Sequence, residues 1–251
     1  DFDDAIFLAS SSLPNSFIER FKNPDKIGRV IKMSEYVIAG NGYLANFALK
    51  FNRKVTVIPT CIDTDKYYPQ AKNGLDKIVI GWIGSITTLK FVDLIEEVFR
   101  ELSIKFSNLW LKTVGGSIQI KGVPNVICKP WSEKDEIEDL KSFDIGIMPM
   151  PDNEWTRGKC GFKAILYMSM GIPCVCSAVG VNKEIITDGI NGFLANTEDD
   201  WLEKLSLLIK DYDLRKNIGL AGRKTIEEKY SLRVNAPRFL EVMQRVYDRR
   251  K

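Results

Sequence analysis

The segment from Trp155 to Lys163 concentrates side chains that could hold an anion. It reads Trp-Thr-Arg-Gly-Lys-Cys-Gly-Phe-Lys and places three cations and two glycines around the expected start of a helix. Free amides and the dipole of a helix N-terminus favour negative charge, and Arg157, Lys159 and Lys163 add positive charge. Without an anion, cations at a helix start are unfavourable. The segment therefore predicts a diphosphate site, with a solvated charged face as the alternative.

A second loop, from Gly84 to Lys90, follows an apolar run and could face the same ligand. Glycine at position 84 lets the backbone approach a ligand closely, and Lys90 in the first helical turn could reach a phosphate. Ordinary turn geometry would also explain a glycine directly after a strand. By itself this loop is a weaker indication than the first segment.

Three further groups have reactive side chains but less specific patterns. Cys160 lies among cations, where it is either a reactive thiolate or a small apolar filler. Asp63-Thr64-Asp65 has the spacing of a DxD metal motif, although its place in a polar connector favours a turn or cap. Asp3 and Asp4 could bind sugar hydroxyls or a metal, and the alternative is an exposed acidic turn.

The composition excludes several classes of protein. The 251 residues are 45% hydrophobic and 27% charged, as in folded globular proteins, and a net charge of +3 does not demand a nucleic-acid partner. With no histidine, the chain cannot build a Ser-His-Asp triad or a histidine-ligated metal site. Five cysteines without a CxxC pattern favour reduced thiols in a cytosolic protein. No apolar run of ~18 residues is present, and the opening Asp-Phe-Asp-Asp predicts a fragment of a longer protein.

Apolar runs alternate with amphipathic stretches along the whole chain. This alternation predicts a parallel sheet with helices on both faces, in which ligands bind at the carboxyl ends of strands. Both candidate loops lie at that edge. The predicted strands are 36–39, 55–58, 77–83, 109–114, 126–128, 144–148, 173–176 and 192–195, and the predicted helices are 43–51, 90–104, 133–141, 161–170 and most of the last ~50 residues, with a break near Tyr230-Ser231.

On these motifs, the chain resembles the retaining glycosyltransferases of family 4, also called group 1, which have the GT-B fold. The run from Tyr167 to Val175 is similar to an AMACGTPVV-like run of that family. The stretch from Pro59 to Pro69 resembles its interdomain segment. The resemblance implies a Rossmann-like parallel sheet with helices on both faces. It divides the chain into the end of an acceptor-side domain at 1–58, a donor-binding domain at 59–230 and a helix at 231–251 that returns to the first domain.

The resemblance also implies where the ligands bind. Asp3 and Asp4 would contact the sugar or the acceptor across the cleft, without a metal or another cofactor. No catalytic residue is assigned. The residues implied to bind the donor are Gly84, Ser85, Lys90, Trp131, Arg157, Lys159, Gly161, Phe162 and Lys163.

Two features of the family pattern are absent from this chain. Ser85 stands where the family has an arginine. Counting back from the run at 167–175 puts Gly158 and Leu166 at the positions of two glutamates, and leucine has no acceptor for ribose hydroxyls. The stretch from Arg157 to Lys163 is closer to a subfamily with an RGKCGFK-like sequence.

The function implied by the resemblance is retaining transfer of a sugar from a nucleotide-diphosphate sugar to a glycan or lipid-linked acceptor. Such enzymes build bacterial surface polysaccharides in the cytoplasm, often at the inner face of the membrane, and need no nucleic acid. Three alternatives stay open. They are a sugar-nucleotide epimerase of the same fold, a catalytically incomplete nucleotide-sugar-binding domain, and a phosphorylase-like enzyme with lysine-bound pyridoxal phosphate.

Overall fold

The computed structural model describes residues 1–8, 25–70 and 77–248. Residues 71–76 of the polar connector predicted at 59–76, and the last three residues of the predicted C-terminal helix, lie outside the described residues. In the first part of the chain, β1 and β2 pair in parallel, and Phe2 bridges to Ala39 at the end of β1. The elements of this part are α1 (Asp25–Met33), β1 (Val37–Ala39), α2 (Gly42–Leu49) and β2 (Val55–Val57).

A larger sheet contains six parallel strands in the order β5-β4-β3-β6-β7-β8. Its strands in chain order are β3 (Ile78–Ile83), β4 (Leu109–Val114), β5 (Val126–Lys129), β6 (Ile145–Met148), β7 (Cys174–Ser177) and β8 (Phe193–Ala195). A 3-10 helix (Lys90–Ile95) and one turn of π-helix (Ile226–Tyr230) accompany its α-helices. These are α3 (Ile86–Leu89), α4 (Glu96–Lys105), α5 (Glu136–Lys141), α6 (Glu154–Arg157), α7 (Phe162–Ser169), α8 (Asn182–Ile185), α9 (Glu198–Lys210), α10 (Tyr212–Thr225) and α11 (Leu232–Asp248).

Both faces of the larger sheet are covered by helices. Successive side chains of a strand point to opposite faces, and in β3 this puts Ile80 and Trp82 against α4 and α9. Val79 and Ile83 pack on the other face, against α5 and α7. Every residue of β3 is buried, as expected for a strand covered on both sides. The predicted α/β class with a doubly covered parallel sheet is confirmed. No helix of the described part of the chain is both long and apolar enough to cross a membrane.

Two predicted helices differ from the observed ones. The helix predicted at 90–104 is interrupted at Ile95, where the backbone has φ −125° and ψ 25°. The tighter 3-10 helix before this break buries Phe91, Val92 and Ile95 together. The helix predicted at 133–141 begins only at Glu136, because a turn comes first in which the Asp135 amide donates to the Ser132 carbonyl.

The C-terminal helix α11 packs against the smaller sheet. Val242 is buried together with Ile38 and Ile58, and the Arg238 guanidinium donates to the Val57 carbonyl at 2.9 Å. A predicted break precedes this helix at Ser231, whose backbone is extended. The division of the chain into domains at residues 58 and 230 stays a prediction.

Candidate functional site

A cleft of about 970 Å³ lies at the carboxyl ends of the strands of the larger sheet. Its walls include the residues that follow β3, β4, β5 and β6. Strands β3 and β6 are neighbours there, and the chain order runs outward from this pair in opposite directions. Such a switch point separates the loops on its two sides and is the usual ligand position in open α/β sheets.

The structure brings most of the predicted site residues together and leaves two elsewhere. Lys90 is exposed on the 3-10 helix and does not line the cleft, although the next residue, Phe91, does. Arg157 forms an ion pair with Asp152 at 2.6 Å and lines a separate cavity of about 340 Å³. The predicted residues that line the large cleft are Asp3, Asp4, Gly84, Ser85, Trp131, Lys159, Gly161, Phe162 and Lys163.

Backbone forms the floor of the cleft where β3 and β4 end. The Gly84 amide donates to the Val114 carbonyl at 3.0 Å. Gly115 has φ +102°, and a Cβ atom there would lie 1.8 Å from the Gly84 carbonyl oxygen. Only glycine fits this conformation and this approach. The absence of side chains at Gly84 and Gly115 therefore leaves backbone in this part of the cleft wall.

The N-terminus of α7 and the side chain of Lys163 meet at the cleft. Gly161 precedes the helix and has no side chain with which to cap the first amides. The Lys163 ammonium lies 3.4 Å from the Thr88 hydroxyl and 5.4 Å from the centre of the Trp82 ring. Lys163 forms no ion pair with a carboxylate of the described residues, and burial and the neighbouring Lys159 lower its pKa to about 8. Both features favour an anionic ligand.

Lys159 has a different environment from Lys163. Its ammonium lies 2.8 and 3.0 Å from the two carboxylate oxygens of Asp4. It also stacks over the Trp155 ring, 4.0 Å from the ring centre. The charge of Lys159 is therefore already balanced by a carboxylate of the N-terminal segment.

The loop that carries Lys159 and leads into α7 is fastened to the first part of the chain. Buried Asn41 donates to the carbonyls of Gly158 (3.2 Å) and Lys159 (3.1 Å). The Cys160 thiol donates to the Asp3 carbonyl at 3.0 Å. Cys160 is buried in an apolar cluster with Ala5, Ala39 and Leu44, and burial raises the pKa of its thiol to about 11. Both observations favour the filler interpretation over a reactive thiolate.

The opposite wall of the cleft carries a carboxylate that the sequence did not indicate. Glu136 accepts hydrogen bonds from the Tyr67 hydroxyl (2.5 Å) and from the Trp131 indole (2.6 Å). Burial and the Glu136 carboxylate raise the pKa of Tyr67, which keeps its hydroxyl a donor. Leu166 also lines the cleft and is 3% exposed, so no carboxylate stands at this position. The local sequence pattern did not single out Glu136, because its partner Tyr67 lies 69 positions away in the chain.

The Asp63-Thr64-Asp65 motif forms a turn. The Asp63 carboxylate accepts from the amides of Asp65 (2.9 Å) and Lys66 (3.2 Å), which confirms the turn interpretation. Across residues 1–8, 25–70 and 77–248, no group of three Cys, Asp or Glu side chains is arranged to hold a metal ion.

A parallel sheet with a glycine-floored, cationic cleft at its switch point defines a Rossmann-like domain suited to a phosphate-bearing ligand. Comparison with known families agrees with this class. Residues 77–211, more than half of the chain, match the family described as "Glycosyl transferases group 1". The chain belongs to this family.

Two curated relatives are glycosyltransferases. An uncharacterised glycosyltransferase of Methanocaldococcus jannaschii is 28% identical over 160 residues, which cover 60% of this chain and 43% of the relative. The capsular polysaccharide biosynthesis glycosyltransferase CapM of Staphylococcus aureus is 24% identical over 172 residues, which cover 63% of this chain and 44% of CapM. The chain therefore spans less than half the length of the curated relatives that it matches.

Solved structures share the fold at low sequence identity. Sucrose-phosphate synthase from Thermosynechococcus elongatus has a TM-score of 0.73 and 14% identity, with 96% of this chain and 64% of that chain covered. The Anabaena protein HepE, in complex with UDP and glucose, has a TM-score of 0.72 and 13% identity, with 86% and 66% covered. These identities support the same fold and nothing finer.

Proposed function

We propose that this chain is the donor-binding part of a retaining glycosyltransferase that uses a nucleotide-diphosphate sugar without a metal ion. One observation carries the proposal. At the switch point, the Lys163 ammonium and the uncapped N-terminus of α7 face one cleft, and no carboxylate of the described residues pairs with Lys163. A diphosphate supplies the missing negative charge.

Transfer from such a donor releases a nucleoside diphosphate, on which charge grows in the transition state. The α7 amides and Lys163 are oriented donors that would stabilise this charge in a partly dry cleft. Each well-placed donor contributes about 3 kcal/mol in enzymes that work in this way. Trp131 and Glu136 stand at the end of the cleft that follows β5, where they would flank the nucleoside.

The proposed acceptor is a glycan or a lipid-linked sugar, and the proposed setting is bacterial surface polysaccharide synthesis. CapM, a relative by sequence, has a name that refers to capsular polysaccharide. HepE, a neighbour in fold, was solved with UDP and glucose. A transferase in this setting would act in the cytoplasm, at the inner face of the membrane.

Calorimetric titration with UDP, GDP, ADP and their glucose conjugates tests donor binding. We expect one nucleoside diphosphate to bind, and Lys163→Met to weaken this binding tenfold to a hundredfold, since hydrogen bonds to charged groups contribute about 1.5–3 kcal/mol. Lys90→Met should leave nucleotide affinity unchanged, because Lys90 lies outside the cleft. The sequence-based assignment of Lys90 to the diphosphate predicts a loss of affinity instead. The matched control is Lys216→Met, an exposed lysine on α10. Equal losses in Lys163→Met and Lys216→Met would contradict the proposed diphosphate site.

A nucleotide-sugar-binding domain without transfer activity is the second candidate. It is favoured by Gly158 and Leu166, which leave no carboxylate at the two positions where the family resemblance placed glutamates. Product analysis with sugar nucleotide and glycan acceptor distinguishes the candidates. A new glycoside supports transfer, an epimerised sugar without acceptor supports an epimerase, and binding with no product supports the second candidate.

A further inference from the structure

The N-terminal segment occupies the space that a side chain at position 158 would need. Gly158 is buried, and a Cβ atom on it would lie 2.5 Å from the Ala5 Cβ and 3.3 Å from the Ala5 amide nitrogen. Ala5 is 2% exposed, so it has no free space into which to move. The loop before α7 therefore carries no side chain at this point, and Ala5 fills the position instead.

The residue before Ala5 presents a carboxylate to the cleft. Asp4 lines the cleft beside Lys159, with 2.8 Å between the Asp4 Oδ1 and Lys159 Nζ atoms. The segment is held on both sides of Asp4, by the hydrogen bond from Cys160 to the Asp3 carbonyl and by the burial of Ala5. Such fixation sets the direction of the carboxylate before a ligand arrives.

We propose that the Asp4 carboxylate binds hydroxyl groups of the sugar carried by the nucleotide donor, and that Lys159 positions this carboxylate instead of binding the diphosphate. This inference rests on the proposed function. A carboxylate has several acceptor sites and can accept from two hydroxyls while it keeps its ion pair with Lys159. The lysine charge also offsets the repulsion between Asp4 and a neighbouring diphosphate.

The position of the pair favours the donor sugar over the acceptor. Asp4 and Lys159 are both close enough to Lys163 to act on its charge, Asp4 favouring the protonated form and Lys159 opposing it. Lys163 and the N-terminus of α7 are the proposed diphosphate ligands. The sugar of a nucleotide donor is bonded to the second phosphate, so it would lie next to the phosphate ligands and within reach of Asp4.

The test compares sugar nucleotides with bare nucleotides in the 251-residue chain. The probes are UDP, GDP and ADP and their glucose, galactose and N-acetylglucosamine conjugates, titrated by calorimetry. Asp4→Asn keeps the size of the side chain but removes its charge. We expect it to weaken the preferred sugar nucleotide about tenfold and to leave the matching nucleoside diphosphate within about twofold of wild type. The control is Asp65→Asn, an exposed carboxylate outside the cleft that pairs with Arg233.

Lys159 variants test the positioning role. Lys159→Met should reproduce the selective loss of sugar-nucleotide affinity, Lys159→Arg should restore it, and Asp4→Asn with Lys159→Met should cost no more than either change alone. Equal weakening of nucleotide and sugar nucleotide by Lys159→Met would assign Lys159 to the diphosphate and overturn the inference. Affinities for the sugar nucleotides that are unchanged by Asp4→Asn would also overturn the inference. Failure of the wild-type chain to bind any probe would instead contradict the proposed function itself.

Discussion

Lys159 and Lys163 are four positions apart but have opposite electrostatic environments. Lys159 reaches a carboxylate of the N-terminal segment and an aromatic face. Lys163 begins on α7 and extends along Gly84 toward Thr88, where the absence of a side chain on Gly84 leaves room for its methylene groups. Burial without an ion-pair partner among the described carboxylates makes the ammonium of Lys163 costly in the free protein. A bound anion offsets this cost.

Nucleotide affinity should depend on pH through Lys163. Its pKa is lowered to about 8 in the free protein, and a diphosphate favours the protonated form. Affinity for the nucleoside diphosphate should therefore be highest below pH 8 and should fall about tenfold per pH unit above it. Calorimetry from pH 6.5 to pH 9.5 measures this profile. Lys163→Arg, which keeps its charge throughout this range, should flatten the profile, and an unchanged slope in that variant would assign the titration to another group.

At the scale of elements, Tyr167 on α7 ties two diverging strands together. Strands β3 and β6 pair only at Ile80–Ile145 and Gly81–Gly146. Beyond that point, the Ile83 amide donates to the Tyr167 hydroxyl at 3.1 Å, and the same hydroxyl donates to the Ile147 carbonyl at 3.2 Å. Tyr167 is fully buried. The strands can therefore separate at the cleft without leaving these two backbone groups unpaired.

Tyr167→Phe should lower the free energy of unfolding by about 1–3 kcal/mol, because it leaves a buried amide and a buried carbonyl without their partner. Urea unfolding measures the change. Tyr212→Phe is the matched control, since Tyr212 is 56% exposed and its change should stay within about 0.5 kcal/mol of wild type. Equal stability of the two variants would show that the hydroxyl bridge contributes nothing.

At the scale of the whole molecule, Asn41 connects the smaller sheet to the loop before α7. It follows β1 and Gly40, and its side-chain oxygen caps α2 by accepting from the Leu44 amide at 2.9 Å. Its side-chain nitrogen donates to the carbonyls of Gly158 and Lys159. One buried amide thus fixes the site loop against a part of the chain that lies more than 100 positions earlier.

Two substitutions at Asn41 separate the cap from the connection. Asn41→Asp keeps the capping oxygen but loses both donors to the loop, whereas Asn41→Ala loses the cap as well. We expect both to weaken nucleoside diphosphate binding, because the loop before α7 loses its anchor. Asn41→Ala should also lower the free energy of unfolding by about 1 kcal/mol more than Asn41→Asp does, because only the alanine variant loses the cap of α2. Calorimetry and thermal unfolding measure the two effects, and wild-type nucleotide affinity in Asn41→Asp would contradict the anchoring role.

The family assignment and the fold class depend on patterns that the sequence carries locally. Strand and helix periodicity, glycines after strands and the run from Tyr167 to Val175 are features of neighbouring residues. The sequence alone therefore determined the doubly covered parallel sheet, its ligand-binding edge and the loops that meet there. It also predicted both Asp4 and Lys163 as site residues. The binding roles of the predicted residues stay predictions.

Only the tertiary structure decided which of these residues line the cleft and which of them pair with one another. Lys90 and Lys163 both lie near a helix start, but Lys90 is exposed outside the cleft, whereas Lys163 lines it. The pairing of Asp4 with Lys159 joins residues 155 positions apart. The contact of Ala5 with Gly158 is just as distant, and it explains why position 158 has no side chain. Local patterns cannot reveal such pairs, because they arise where separate segments pack against one another.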